Sequence, residues 1–540
     1  MQDNELTYIL KKAIQTHQSG KRETADELYN SVLQKYPRNP DALHLKGVVA
    51  FQKGNYSKSM QLISQAIRED PTQAAFYNNL GNTFNALGKF NRALACFEKA
   101  VVIDPTMTDA VFNLANIQQR RGNFDDAINN YQRVIVLKPK CAGIYNNLGL
   151  AYSSKGMTQQ AESAYRMAIK IDSRFVDVYN NLCALQEGTS QLAAALKTAQ
   201  QALEIDPDSF FALFNFGQIL YRLKRYHEAE KLLKAHIKED MPKSFYARFF
   251  YLLGKVYNRL DRYDDAFKSF SEANQCVFNS ITVAVCGDKN DQTLREIDES
   301  KKFFTRERVR SWKIPHISPQ NVKQVFLVGF PRSGTTLLEQ ILNSHQNVTT
   351  LDEQPIFEDI FRTFRHSAEA HQKLDYLTAT EIEQYRKHYL SRVASNVNLS
   401  EPIRVVVDKL PLNILYLGII YRFFPDAKII VVLRHPLACV LSGFMQQFKM
   451  NKMMLNLLTI DGAARLYKAV MGLYLHYQKI LPLPMHQIRY EDMVENLEIE
   501  IRRLFDFLGL EWQSVVLDYQ NAAKARKIST PSYSQVVKPI

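Results

Sequence analysis

The chain has 540 residues, too many for one ordinary hydrophobic core, and its 46% hydrophobic and 23% charged content excludes general disorder. A formal net charge of +13 suits an anionic partner (nucleic acid, membrane surface, nucleotide or acidic peptide) without choosing among them. The cysteines, at positions 96, 141, 183, 276, 286 and 439, show neither zinc spacing nor a disulfide framework.

The start, Met1 to Glu5, is acidic and polar and lacks the basic and apolar regions of a signal peptide. The longest apolar runs, such as Ile429 to Leu433, are strand-length and cannot span a bilayer. These features lead to the expectation of a soluble, cytoplasmic protein with no membrane span.

Residues 6–280 repeat. Small residues recur every 34 positions at Ala13, Gly47, Gly81, Ala115, Gly149, Cys183 and Gly217. A second small residue follows twelve positions later in each unit, from Ala25 through Ala93 to Ala229. A larger apolar residue stands at plus sixteen, as in Tyr29, Ile63, Phe97, Tyr131 and Tyr165, and Pro37, Pro71, Pro105, Pro139 and Pro207 close units. An eighth unit, with Gly254, Ala266 and Phe270, is offset by three residues. Small residues let two helices approach, aromatics fill the gap to the next unit, and proline punctuates. The pattern resembles the tetratricopeptide repeat, which implies an α-solenoid of about eight helical hairpins.

Asn79, Asn113, Asn147, Asn181 and Asn215 recur on the first helix of five consecutive units. An amide donates and accepts, so such a ladder can hold a peptide backbone. It is similar to the asparagine ladder of O-linked N-acetylglucosamine transferase. The other reading is an asparagine that serves contacts between helices. Residues 281–322 lose the period and read as a charged helical linker and a loop ending in Pro315 and Pro319.

At Val325 to Val328 the texture becomes that of a buried parallel strand. Gly329-Phe330-Pro331-Arg332-Ser333-Gly334-Thr335-Thr336 follows, and then a helical run from Leu337. Strand, glycine-bounded loop and helix form an anion cradle. The glycine spacing equals that of a nucleotide P-loop, but Thr335 stands where that loop carries lysine, which excludes a P-loop kinase; the positive charge is Arg332. A second strand, Ile429 to Leu433, ends in Arg434, with Ser442 eight residues on. An arginine and a hydroxyl there can grip one phosphate from two sides.

Both segments resemble the sulfotransferase family, particularly the tyrosylprotein sulfotransferases and the bacterial repeat-containing sulfotransferases. The resemblance spans 323–540, implies an α/β P-loop-like domain with a parallel sheet, and names 3′-phosphoadenosine-5′-phosphosulfate (PAPS) as sulfuryl donor. It implies that Arg332, Ser333, Gly334, Thr335 and Thr336 hold the 5′ side, and that Arg434 and Ser442 hold the 3′-phosphate. Tyr490 is the adenine-contacting tyrosine or a core tyrosine, and Ser532 and Lys538 belong to a C-terminal loop that closes on the donor. Glu353, 21 residues past Arg332, matches the family's catalytic base, with Asp352 as its rival. Lys409, on Val405 to Lys409, stabilises the leaving oxygen or pairs with Asp408. His345 is a conceivable substitute base, and His435 is structural. No metal is expected, and nucleic acid is not an expected partner.

Three features depart from the family. Ser344-His345-Gln346 replaces a His-Pro, Asp352 replaces a glycine or glutamate, and related enzymes continue through a tryptophan-bearing helix. Either the protein is short here or its cover over the donor is missing, which bears on how tightly the donor is held. The combined expectation is a PAPS-dependent sulfotransferase whose repeat array recruits a protein or peptide, with tyrosine as acceptor. A carbohydrate or lipid acceptor, a scaffold with an inactive nucleotide domain, and a homodimer stay open.

Overall fold

A computed structural model describes residues 2–238, 240–281, 290–313, 322–364, 368–397 and 403–520. Two compact units divide the chain, Met1–Leu223 and Lys224–Ile540.

The first unit is a row of antiparallel helix pairs running from Gln2–Gln18 and Arg22–Lys35 to Phe210–Arg222. The small residue of the repeat is required by contact. A Cβ on Gly81 would lie 2.5 Å from the Phe97 ring, and one on Gly149 would lie 2.5 Å from Tyr165. The plus-sixteen aromatic therefore sits first against the small residue of its own hairpin, rather than only in the gap to the next. Phe97 also joins Leu114 and Ile117 of the following unit in one cluster. Burying such a side chain contributes about 1.5–3 kcal/mol, repeated unit by unit. Gly20, Gly54, Gly88, Gly122 and Gly156 turn the chain between the paired helices with φ of 71–82°. Asn39, Asn55 and Ser209 cap helices by accepting from Ala42, Lys58 and Ala212 N–H groups.

The second unit contains the offset hairpin, Lys243–Arg259 and Tyr263–Ser280, followed by the α/β fold. Among the described residues, five parallel strands are β1 (Lys323–Gly329), β2 (Val348–Asp352), β3 (Val405–Lys409), β4 (Lys428–Leu433) and β5 (Met485–Arg489), in the order β2-β3-β1-β4-β5. The inner strands β3, β1 and β4 carry apolar runs because both faces are covered, whereas the edge strands β2 and β5 are more polar. Phe326, Val328, Ile429 and Val431 face one core. Val325, Leu327, Ile430 and Val432 alternate onto the other, under helices Thr335–Asn343 and Leu497–Leu508. The stretch expected as a linker is partly built into the first core: Phe304 is buried, and a Cβ on Gly418 would meet its ring at 2.5 Å. Among the described residues no helix is long and apolar enough to cross a membrane.

Candidate functional site at the carboxyl edge of the sheet

Strand order reverses at β1, whose neighbours β3 and β4 lead away on either side. In open parallel sheets the crevice at such a point, beyond the carboxyl ends of the strands, is where ligands sit. The expected residues converge there. Leu327 of β1 is in register with Lys409 of β3, Lys409 with Asp352 of β2, and Gly329 with Val432 of β4.

The loop after β1 is tightly made. Gly329 admits no side chain, since a Cβ there would meet Ser333 Oγ at 2.6 Å and the Val432 carbonyl at 2.8 Å. Arg332 and Gly334 both take left-handed backbone, with φ of 71° and 107°. Thr335 and Thr336 are buried at the start of the helix, where N–H groups lack intrahelical acceptors. Among the described residues, the buried Ser333 Oγ has no hydrogen-bond partner. A hydroxyl in a glycine-bounded loop suits an anion whose oxygen would accept its hydrogen bond.

The second segment locks onto this loop. Arg332 Nε donates to Ser442 Oγ at 3.1 Å, and Arg434 Nη1 donates to the Arg332 carbonyl at 3.0 Å. The Arg434 guanidinium lies 4.4 Å from the centre of the Tyr490 ring. That ring packs on Gly334, where a Cβ would come within 2.4 Å of it. Burial first, and then the charge of Arg434, push the Arg332 pKa down, while Glu353 pulls it up. Two arginines held together in a desolvated loop raise the local demand for negative charge.

Beside them lies an ion cluster. Lys409 is fully buried and its Nζ donates to Asp352 Oδ1 at 2.6 Å and to Glu353 Oε1 at 3.0 Å. Burial alone would lower the lysine pKa, but Glu353, Asp352 and Glu339 outweigh it and hold it above the ordinary value. Glu353 is 39% exposed and Asp352 only 16%, so Glu353 is the carboxylate open to an incoming group. Glu353 also has left-handed backbone, φ 48°, and its N–H donates to the Lys409 carbonyl at 2.9 Å.

Some expectations fail or need correction. Lys409 is not paired with Asp408, whose side chain alternates to the opposite face and accepts from Tyr389 Oη at 3.0 Å. His345 is buried, with Nδ1 accepting from the Asn347 N–H and Nε2 facing the Glu511 carbonyl at 2.9 Å, so neither nitrogen is available as a base. Ser532 and Lys538 lie outside the described residues. Two acidic residues escaped the sequence reading. Glu339 is buried on the loop helix and accepts from Thr350 Oγ1 at 2.5 Å. A carboxylate inside the run Leu337 to Leu342 was the available signal. Glu491 accepts from the His435 N–H at 2.9 Å and so holds the start of helix Pro436–Phe444.

In the first unit the asparagines form a ladder of their own. Asn113, Asn181 and Asn215 donate to Oδ1 of Asn78, Asn146 and Asn180 in the preceding hairpin at 2.9, 2.8 and 3.4 Å. Asn79 donates to His44 Nε2 at 2.8 Å, and burial pushes the His44 pKa down to about 4, keeping that ring neutral. Where Phe112 replaces the acceptor, Asn147 reaches Asn116 instead, at 3.0 Å. A cleft lined by Cys183, Glu187, Phe214, Asn215 and Gln218 opens beside the last rung.

Residues 324–514 match the model of the sulfotransferase family, and residues 17–80, 74–107, 120–156, 142–175 and 198–231 match tetratricopeptide repeat models. The chain thus carries a sulfotransferase-family domain behind a tetratricopeptide array. It is 30% identical over 315 residues to an uncharacterized protein of Aquifex aeolicus, covering 56% of this chain and 39% of that one. It is 26% identical to protein-tyrosine sulfotransferase 1 of Danio rerio over 42% of this chain and 65% of that one. It is 25% identical to protein-tyrosine sulfotransferase 2 of Gallus gallus, over 40% and 60%. The chain therefore matches less than two thirds of each of these relatives.

Proposed function

We propose that the carboxyl edge of the sheet transfers a sulfuryl group from PAPS to a hydroxyl, with a phenolic side chain of a peptide as acceptor. The observation that carries this reading is the interlock of Arg332, Arg434 and Ser442 around a buried Ser333 hydroxyl that has no partner among the described residues, beside Lys409 and Glu353. The loop of Ser333, Gly334, Thr335 and Thr336 suits the 5′-phosphosulfate, and Arg434 with Ser442 suits the 3′-phosphate.

In the reaction a sulfur–oxygen bond to the 5′-phosphate breaks as one to the acceptor oxygen forms, leaving adenosine 3′,5′-bisphosphate. The acceptor loses its proton. A phenol titrates near pH 10, so a base beside it raises the rate at neutral pH, and Glu353 takes that role. Lys409, kept charged by its carboxylates, faces the oxygen that becomes negative, and Arg332 faces the sulfuryl oxygens. Tyr490 borders the base end of the nucleotide. The ladder Asn79, Asn113, Asn147, Asn181 and Asn215 recruits the peptide through the amide capacity left after the inter-hairpin bonds. The names of the tyrosine sulfotransferase relatives support the choice of acceptor.

The test is binding followed by transfer. Adenosine 3′,5′-bisphosphate should raise the thermal midpoint well above the effect of ATP. Labelled sulfate should pass to a tyrosine peptide library, and Glu353→Ala should lower the rate by roughly 10²–10⁴-fold. Full activity in that variant removes Glu353 from the mechanism.

A further inference from the structure

The offset hairpin reaches the end of the helix that carries Ser442. Asn274, on helix Tyr263–Ser280, is buried, and its Nδ2 donates to the Phe444 carbonyl at 3.0 Å. Phe444 is the last residue of helix Pro436–Phe444, whose final carbonyls have no acceptor role inside the helix itself. Ser442, two residues earlier, is the hydroxyl that receives Arg332. The orientation of the amide is itself fixed. Buried Tyr251, on the partner helix of the hairpin, donates its hydroxyl to Asn274 Oδ1, so the nitrogen must point at Phe444. The Phe444 ring stacks on Phe267 of the same hairpin, with centroids 5.3 Å apart. Helix Pro436–Phe444 is thereby held at its start by Glu491 and at its end by Asn274.

We propose that Asn274 and Tyr251 are positioning residues for the donor site: they set the height of Ser442, and so the discrimination for a ribose 3′-phosphate. The inference rests on the sulfotransferase reading of that helix. It adds that the last repeat is part of the nucleotide site. The Asn274 amide is buried and its two ends are bonded to Tyr251 and to Phe444, so its position is set by both. Its geometry is directional, and the direction is the helix end that carries Ser442.

The experiment compares two probes on the full chain, adenosine 3′,5′-bisphosphate and adenosine 5′-phosphate, by calorimetry. Asn274→Leu should weaken the bisphosphate by roughly fivefold or more while the monophosphate stays within about twofold, since only the former meets Ser442. Tyr251→Phe, which removes the orienting hydroxyl with little change of shape, should lower the same ratio to a smaller degree. Equal weakening of both probes, or no change in their ratio, overturns the proposal, because a loss of general stability moves both together. If Asn274→Leu does not fold, Tyr251→Phe decides alone: a wild-type ratio sinks the positioning role. A wild-type chain that does not distinguish the probes refutes the donor reading itself, before any variant is compared.

Discussion

The repeat array and the sheet domain differ in where they accept left-handed backbone. In the array it recurs every 34 residues at Gly20, Gly54, Gly88, Gly122 and Gly156, and then without glycine at Ser190, Lys224 and, in the offset hairpin, Asp261. In the sheet domain, the loops above the strands give the same conformation to Arg332 and Glu353, with φ of 71° and 48°. Left-handed backbone costs a non-glycine residue about 1–2 kcal/mol. Five of the repeat turns remove that cost with glycine; Ser190, Lys224 and Asp261 retain it in the last turns, as do Arg332 and Glu353 at the carboxyl edge of the sheet. Buried polarity divides similarly. The array buries neutral pairs such as Ser59 with Thr83 and Gln186 with Thr198. The sheet domain buries Lys409, Asp408 and Glu339.

Arg332→Gly breaks the comparison most sharply. It removes the guanidinium and the strain together. Sulfate transfer should fall by roughly 10²–10³-fold, while the thermal midpoint holds or rises as the repulsion from Arg434 is lifted. A midpoint that falls with activity assigns Arg332 to stability rather than chemistry.

A smaller effect tests the buried charge. Burial pushes the Asp408 carboxyl up to about 7, against the hydrogen bond from Tyr389. In an unfolded chain it titrates near 3.9, so the folded state binds this proton more tightly. The stability it contributes is complete below about pH 4 and is lost as pH rises through about 7. The wild-type thermal midpoint should therefore drop between about pH 5 and pH 8 by more than that of Asp408→Asn. Parallel profiles would show that Asp408 is not the group being titrated.

Much of this was legible beforehand because the signals are periodic or local. The 34-residue spacing marks the hairpins, and strand followed by Gly329 to Thr336 marks the anion loop. What escaped depends on contacts between segments distant in the chain. Ser442 and Arg332 are 110 residues apart, and Asn274 and Phe444 are 170 apart; neither pair has a spacing that betrays it. The pairing of Lys409 with Asp352 and Glu353 rather than with Asp408 depends on strand alternation across a register that only the folded sheet defines. The asparagine ladder was visible as a pattern. Its partners lie one position off the repeat, at Asn78, Asn146 and Asn180, and acquire meaning only when hairpins stack.

Ser190→Gly is the gentlest test. Ser190 stands at φ 60° where five earlier turns have glycine, and its hydroxyl accepts from Arg222 Nη2 at 3.2 Å. Arg222 also donates to Glu187 Oε1 at 2.6 Å, so losing Ser190 Oγ leaves that arginine held. Relief of the backbone should exceed the loss of one exposed hydrogen bond, and the midpoint should rise by roughly 1–2 °C. Glycine also gives the unfolded chain more freedom, which trims the gain without reversing it. A fall in the midpoint would mean that the Arg222 bond outweighs the strain. The turn at Ser190 would then resemble Arg332 more than Gly156, with a side chain retained at a backbone cost for what it touches.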